Sequence, residues 1–171
     1  MERVKEIVCR VDRCLACRAC EIACALEHSR SHDLSRAIRE EMRPLPRVRV
    51  LLIDEQGRKV RARSLALQCR HCEEPACLAA CIAGGIRQEE ETGRVTFDAQ
   101  RCVGCWSCIM VCPFGAVVRS TGHGCALKCD LCPERDTPAC VAACPVRALV
   151  LVEPEEEEAG CVEETTAYHR K

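Results

Sequence analysis

The chain has 171 residues, of which 19 are cysteine, and its formal net charge at pH 7 is −1. Only four residues are aromatic, so large carbon side chains cannot fill a core of ordinary size. Cysteine at about a tenth of a chain is typical of domains held together by disulfides or metal, and this composition excludes collagen, coiled coils and low-complexity tails. The odd cysteine total favours metal or redox chemistry in a reducing compartment over a closed disulfide framework.

The N-terminal part of the chain combines a charged start with a compact cysteine group. Residues 1–6 carry charges where a secretory signal needs an apolar run, so we expect a cytoplasmic protein without membrane insertion. A short strand is predicted at 7–11. The first group follows with two, two and three residues between its cysteines: Cys14, Cys17, Cys20 and Cys24. This spacing is that of the bacterial ferredoxin motif.

A polar, arginine-rich insertion separates the first group from the second. Residues 26–47 predict a loop with a short helix. Residues 48–54 and 59–67 predict a hairpin around the turn at 55–58, so the insertion extends to about residue 68. The second group keeps both outer spacings and widens the middle gap to four residues: Cys69, Cys72, Cys77 and Cys81.

The remaining chain repeats this order of a compact and a stretched group. A strand is predicted at 92–98, ahead of a third group with gaps of two, two and three residues: Cys102, Cys105, Cys108 and Cys112. The fourth group widens the middle gap to seven: Cys129, Cys132, Cys140 and Cys144. The alternation indicates an internal duplication, with halves at about 14–81 and 102–144.

The fold class predicted from this pattern is α+β, with duplicated ferredoxin-like two-cluster units. Short helices are expected to begin at the last cysteine of each group, and a final strand is predicted at 148–152. We expect one polyferredoxin-like domain over residues 1–152 and an acidic C-terminal tail over 153–171, which carries seven acids and two bases.

The spacing has a mechanical reason. Three cysteines at intervals of two residues on a tight loop face one cubane cluster from one side. The fourth lies one helical turn beyond the third and points to a neighbouring cubane. Four such groups therefore predict four [4Fe–4S] clusters in two reciprocal pairs, and the spacing alone leaves open which groups pair.

Structural zinc is the alternative to iron–sulfur clusters, since it also uses pairs of cysteines two residues apart. Zinc has no use for a three-cysteine loop followed by three residues and Cys-Pro, and a zinc protein is colourless whereas an iron–sulfur protein is brown. Cys9, Cys125 and Cys161 lie outside the groups and are interpreted as buried hydrophobes or free thiols. His71 is expected to pack beside a cluster and donate a hydrogen bond.

Eleven basic and five acidic residues lie between Arg30 and Arg70. A nucleic-acid surface is one interpretation, but the aromatic residues that stack on bases are missing. Thiolates on four cubanes would leave roughly −8 inside the chain, which nearby arginines would offset. We prefer the second interpretation and expect no nucleic-acid partner.

With these motifs in place, the chain resembles the four-cluster electron-transfer subunits of dimethyl sulfoxide reductase, formate dehydrogenase and related complexes. The resemblance covers about residues 7–152 and is carried by these segments: Cys14–Cys24, Cys69–Cys77, Cys102–Ala116, Lys128–Cys132 and Pro138–Leu149. The small size and the segment Cys24–Ser29 resemble the iron–sulfur proteins associated with carbon monoxide dehydrogenase. A similar subunit serves tungsten aldehyde oxidoreductases. Ala25 and Ile82 stand where the family has proline, which removes no ligand.

The resemblance implies that group one pairs with four and group two with three; adjacent pairing is the alternative. Four ligand sets follow, numbered here for use below: set 1 is Cys14, Cys17, Cys20 and Cys144; set 2 is Cys129, Cys132, Cys140 and Cys24; set 3 is Cys69, Cys72, Cys77 and Cys112; set 4 is Cys102, Cys105, Cys108 and Cys81.

The resemblance also implies a function. We expect a non-catalytic subunit that relays low-potential electrons between a catalytic oxidoreductase and a downstream acceptor. Carbon monoxide dehydrogenase is the first candidate partner, followed by a tungsten aldehyde oxidoreductase, a formate dehydrogenase or a hydrogenase. An enzyme in its own right would need a flavin, molybdopterin or nucleotide fingerprint, and the glycine motifs for nucleotides are absent from the sequence. A redox sensor acting on nucleic acid would need a recognition helix, which the pattern does not predict.

Overall fold

The computed structural model describes residues 5–53, 63–120 and 122–152, and its regular elements are all short. The strands are β1 Glu6–Cys9, β2 Arg49–Ile53, β3 Arg63–Leu67, β4 Ile86–Gln88, β5 Val95–Phe97, β6 Val118–Ser120, β7 Cys125–Leu127 and β8 Leu149–Val152. The helices are α1 Ala19–Glu27, α2 Leu34–Ala37, α3 Ala76–Ala79, α4 Ser107–Val111 and α5 Ala139–Ala142, with a 3-10 turn at Ala99–Arg101. The prediction of a ferredoxin-like α+β fold is confirmed at this level; the duplication stays a prediction.

The strands form two-stranded antiparallel sheets, and one of these sheets joins the two ends of the described chain. Strand β1 pairs with β8, with Ile7 opposite Leu151, and Ile7 and Cys9 alternate inward as a half-buried strand requires. The predicted hairpin strands also pair, with Val50 opposite Ala66 in β2 and β3. The predicted turn at 55–58 lies outside the described residues.

Two further hairpins join β4 to β5 and β6 to β7, each strand only three residues long. Of these strands, the sequence predicted only β5, within the interval 92–98. Strands of three residues are too short to show a period of two, so the pattern did not reveal the others. The predicted helix within 26–47 is α2, whose start is capped by the Asp33 carboxylate accepting from the Arg36 N–H.

The helices of the cysteine groups do not begin where the sequence predicted. Helices α1, α3, α4 and α5 each begin one residue before the third cysteine of their group, not at the fourth. Three intervening residues make one helical turn, so the helix spans the interval between the third and fourth cysteines. Helix α1 packs against α5, and α3 against α4, which brings group one beside group four and group two beside group three.

A repeated backbone conformation shapes the start of every group. The residue just before the second cysteine has a positive φ in all four groups: Ala16 at 55°, His71 at 48°, Gly104 at 67° and Leu131 at 62°. A left-handed residue costs a side-chain-bearing position about 1–2 kcal/mol, so this turn is adopted against local preference. It curls the loop so that consecutive cysteines face the same side.

A second repeated turn follows the last cysteine of three groups. Gly84, Gly115 and Arg147 each lie three residues beyond that cysteine, have a positive φ, and donate their N–H to its carbonyl oxygen. Group one departs from this pattern because α1 continues beyond Cys24 to Glu27. The chain there enters the insertion instead of turning back.

Cysteines supply much of the buried apolar material. The largest side chains that are almost fully buried are only Ile7, Val48, Val95 and Ser120 within the described residues. The core divides into small clusters of aliphatic side chains and thiols. Among the described residues, no helix is long and apolar enough to cross a membrane.

We predict that Gly104→Ala disrupts the loop of group three. A Cβ at Gly104 would lie 2.7 Å from the backbone oxygen of Gly124, which cannot move aside like a side chain. Gly84→Ala is the matched control, because Gly84 also has a positive φ but its Cβ would meet nothing within 4 Å. Both variants carry the left-handed penalty, and only Gly104→Ala adds the collision. Iron content per chain after anaerobic purification should therefore fall further in Gly104→Ala; equal losses would contradict the steric account.

Candidate metal centres

The cysteines of groups one and four lie together at the β1–β8 end of the chain. Cys20 has Cys14 and Cys17 as electrostatic neighbours, and Cys14 and Cys144 pack against the same buried cluster. Cys9 lies beside them, with Cys14 and Cys144 as neighbours. The structure thus brings the sulfurs of set 1 to one region.

The remaining cysteines of these two groups meet next to it. Cys24 acts electrostatically on Cys129, Cys132 and Cys140, although more than a hundred residues separate it from them in the chain. Cys140 also has Cys20 as a neighbour, so sets 1 and 2 are adjacent. Helix α1 carries Cys24, and helix α5, which packs against α1, ends two residues before Cys144; these are the two cysteines that cross between the groups.

Groups two and three exchange cysteines in the same way. Cys112 is an electrostatic neighbour of both Cys72 and Cys77, which share Cys69 as a further neighbour, so set 3 is gathered in one place. Cys69 in turn packs in a buried cluster with Cys129 of set 2. This contact joins the part of the molecule that contains sets 1 and 2 to the part that contains sets 3 and 4.

Set 4 lines a small open cavity. All four of its sulfur-bearing residues contribute to the wall: Cys81, Cys102, Cys105 and Cys108. The rest of the lining is almost entirely apolar and includes Ile86, Phe97, Val103 and Trp106. An apolar cavity with converging thiols and no other functional side chain suits a thiolate-bound metal cluster better than an organic substrate.

Burial makes these thiols poor acids in the absence of metal. Desolvation raises the pKa of Cys77 to about 11 and that of Cys140 to about 12, and neighbouring thiols add to the rise. Desolvation likewise raises the pKa of Cys129 far above its ordinary value. Converging sulfurs that resist ionisation alone are stabilised as thiolates by a cation among them. The donor sets therefore fit iron–sulfur clusters.

Backbone N–H groups point to several of the sulfurs. The Ala116 N–H donates to Cys112 Sγ at 3.4 Å, and the Ala148 N–H donates to Cys144 Sγ at 3.2 Å, each from four residues beyond its cysteine. Cys24 lacks a following turn and receives its bond from Arg47, at the far end of the insertion, at 3.2 Å. Hydrogen bonds to cluster sulfurs are a main determinant of reduction potential.

A polar network that the sequence does not reveal lies beside set 2. The Asp130 carboxylate accepts from His28 Nε2 at 3.2 Å, forms an ion pair with the Arg47 guanidinium, and accepts from the Cys132 N–H at 3.1 Å. Ligand atoms of His28, Asp130 and Cys132 lie within 4.8 Å of one another. His28 and Asp130 are 102 residues apart, so only the pairing of groups one and four brings them together.

The network fixes the charge of its members. Burial alone would lower the pKa of His28, but hydrogen bonds to Asp130 and Cys24 outweigh it and raise the pKa to about 9. Although burial opposes ionisation of Asp130, His28 and Arg47 hold its pKa below the ordinary value. Protonated His28 therefore stabilises the network fully below its ordinary pKa of 6.5, and this contribution is lost as the pH rises through about 9.

The residues outside the four groups behave largely as expected. Cys9 and Cys125 are buried, while Cys161 lies outside the described residues. His71 packs beside set 3 as predicted, and its backbone N–H donates to Cys69 Sγ at 3.4 Å. Its ring does not donate to a sulfur: Nδ1 accepts from the Val95 N–H at 3.1 Å.

Comparison with known proteins identifies the family. A family model described as a 4Fe-4S dicluster domain matches residues 60–154, which contain the second, third and fourth groups. The chain belongs to the 4Fe-4S dicluster domain family. The first group lies outside the matched range.

Named relatives extend over nearly the whole chain. An iron-sulfur protein of Rhodospirillum rubrum is 39% identical over 172 residues, covering 90% of this chain and 86% of that protein. The electron transport protein HydN of Escherichia coli K12 is 36% identical over 163 residues, covering 86% of this chain and 87% of its own. The B subunit of anaerobic dimethyl sulfoxide reductase from the same strain is 35% identical over 145 residues, covering 80% of this chain and 67% of that subunit. The prediction of a 4Fe–4S electron-transfer protein of the oxidoreductase-subunit class is confirmed.

We predict that Asp130→Asn weakens set 2 by removing the charge shared by Arg47 and His28. A hydrogen bond to a charged group contributes about 1.5–3 kcal/mol, and the partial exposure of Asp130 favours the lower value. Iron transfer to a chelator should become about tenfold faster, equivalent to about 1.4 kcal/mol. Asp136→Asn is the control, because Asp136 is exposed in the same cysteine group. Equal release rates from the two variants would contradict a role for the network.

Proposed function

We propose that the chain holds four [4Fe–4S] clusters in ligand sets 1 to 4 and relays single electrons along them. Support for these sets comes from the neighbours described above, in which Cys24, Cys144, Cys81 and Cys112 each lie with the cysteines of another group. When bound, such clusters accept and release one electron each. All sixteen ligand positions hold cysteine, so no iron position is left open for substrate.

One observation supports the proposed electron relay: the ligand sets form a continuous series with an exposed cysteine at each end. Neighbouring sets are linked in the order 1, 2, 3, 4. Cys140 lies near Cys20, and Cys129 packs with Cys69. Cys112 of set 3 packs against the buried cluster that contains Cys108 of set 4. Among the cysteines of the described residues, those that are exposed are Cys17 in set 1 and Cys105 in set 4. Both ends of such a series are accessible to a redox partner, while the four cysteines of set 2, in its middle, are all buried.

Parts of the basic stretch are used inside the molecule. Arg47 pairs with Asp130, and Arg49 donates to the carbonyl oxygen of Gly115, three residues beyond the last cysteine of group three. The Arg70 guanidinium lies 5.3 Å from the centre of the Phe114 ring and pairs with Glu6. These contacts favour the role of offsetting cluster charge over that of a nucleic-acid surface.

The catalytic partner is proposed from the family resemblance. Carbon monoxide dehydrogenase is the first candidate, because the segment Cys24–Ser29 and the small size resemble its iron–sulfur partners; a tungsten aldehyde oxidoreductase, formate dehydrogenase or hydrogenase is the second. In each turn of the relay, the reduced partner loses one electron and a downstream acceptor gains it. A cytoplasmic location is part of the same proposal.

We predict that Cys112→Ser perturbs the cluster held by Cys69, Cys72 and Cys77, not the one held by its neighbours in sequence. The serine oxygen is a harder ligand than sulfur and changes the electron paramagnetic resonance spectrum of the cluster it binds. Cys108→Ser, in the helix that ends just before Cys112, is the matched control and should alter set 4. Damage to set 4 in both variants would favour adjacent pairing of the groups.

The identity of the catalytic partner can be tested by measuring which enzyme reduces the clusters of this chain. Under carbon monoxide, the purified chain should bleach at visible wavelengths only when carbon monoxide dehydrogenase is added, and should then reduce a second acceptor. Reduction by carbon monoxide without the dehydrogenase would mean that the chain is itself an enzyme. Absence of reduction with this dehydrogenase, but reduction with an aldehyde or formate enzyme, would move the partner to the second candidate.

A further inference from the structure

A buried lysine lies where the cysteines of set 2 meet those of set 3. Lys128 immediately precedes Cys129, the first cysteine of group four, and is only 3% exposed. Its Nζ donates to the carbonyl oxygen of Val95 in β5 and to that of Cys129 at 3.1 Å. Among the described residues, no carboxylate forms an ion pair with it. Carbonyl oxygens satisfy its protons but supply no compensating charge.

The surroundings of Lys128 belong to two different ligand sets. Cys129 is part of set 2, and the charge of Lys128 also acts on Cys77 of set 3. Cys69 of set 3 and Cys129 of set 2 pack in one buried cluster. Lys128 therefore lies at the junction between the second and third members of the proposed series.

The neighbouring polar groups hold Lys128 in place. Val95 accepts from Lys128 through its oxygen and donates through its N–H to His71 Nδ1, so one strand residue bridges the lysine and the histidine. His71 is itself 3% exposed, and its backbone N–H donates to Cys69. Backbone groups that cannot move independently of the fold thus fix the cation next to Cys129 of set 2, at a position where its charge acts on Cys77 of set 3.

We propose that Lys128 raises the reduction potentials of the clusters in sets 2 and 3. Electrons passing along the series are then stabilised on these two clusters. This inference rests on the proposed four-cluster relay. A cubane with four thiolates carries a net charge of about −2 and gains a further negative charge on one-electron reduction. A fixed cation in a low-dielectric interior favours the more negative state. Reduction by dithionite supplies the electron in the test, and dithionite is oxidised in exchange.

Other groups place a cation at the same position, which provides a matched control. Arg101 precedes Cys102 as Lys128 precedes Cys129, but its side chain is 54% exposed and pairs with Asp98 at 3.5 Å. Arg13 precedes Cys14 and is 51% exposed. Solvent screens a charge at either arginine, so neutralising it should leave the potentials of sets 1 and 4 close to those of the wild type.

The test is a redox titration of the full chain with electron paramagnetic resonance detection, in Lys128→Met, Lys128→Gln, Lys128→Arg and Arg101→Met. Ligand variants Cys77→Ser and Cys132→Ser assign the signals of sets 3 and 2. Lys128→Met and Lys128→Gln should shift both of these signals to lower potential and leave sets 1 and 4 unchanged. Lys128→Arg should restore values near the wild type. A potential does not depend on the loaded fraction, so partly loaded variants remain informative.

The other possible outcomes of the titration would either support or overturn the proposed role of Lys128. Unchanged potentials of sets 2 and 3 in the neutral variants would overturn it, as would an equal shift in Arg101→Met. Loss of iron in both neutral variants but not in Lys128→Arg would support a requirement for the charge. Loss in all three would show that the shape of lysine matters, and would overturn the electrostatic role. A wild-type titration with fewer than four clusters would instead contradict the relay on which the inference rests.

Discussion

The structure depends on the convergence of cysteine thiols, several of which are buried and resist ionisation without metal. Burial raises the pKa of Cys77 and Cys140 well above ordinary values, and each has further thiols as neighbours. When a metal cluster binds, these weakly acidic thiols become metal-bound thiolates. Structural metal sites contribute on the order of 10 kcal/mol, which matches the entire stability of a typical domain. A chain with four aromatic residues therefore draws from ligation the stability that a larger carbon core would otherwise provide.

The same convergence explains the architecture. Left-handed residues before the second cysteine are individually unfavourable in groups one, two and four, where they carry side chains, and a bound cluster would compensate for that cost. The helices of the cysteine groups, four to nine residues long, are too short to be stable alone, but each spans the interval between a third cysteine and a fourth that lies with another group. The packing of α1 on α5 and of α3 on α4, with β1 on β8, follows from this exchange.

The sequence predicted what depends on local spacing. The four groups, the α+β class and the strands β1, β2, β3, β5 and β8 are all evident from short-range pattern. The predicted helix starts lie one turn too late, because the interval between the third and fourth cysteines forms a helix of its own. The network of His28, Asp130 and Arg47, and the burial of Lys128, join residues far apart in the chain. No local pattern distinguishes Lys128 from Arg101, since each simply precedes a cysteine; only the fold buries one and exposes the other.

The proposed relay requires four clusters, not two, in this chain. The family model covers the second to fourth groups and is described as a dicluster domain, so the first group decides the count. The number of clusters is tested by measuring iron and acid-labile sulfide in anaerobically purified wild-type protein. Amino-acid analysis quantifies the protein in the same samples. Four complete cubanes require about 16 iron and about 16 sulfide per chain. A value of about eight of each, or zinc in place of iron, would show that the chain does not hold four cubanes.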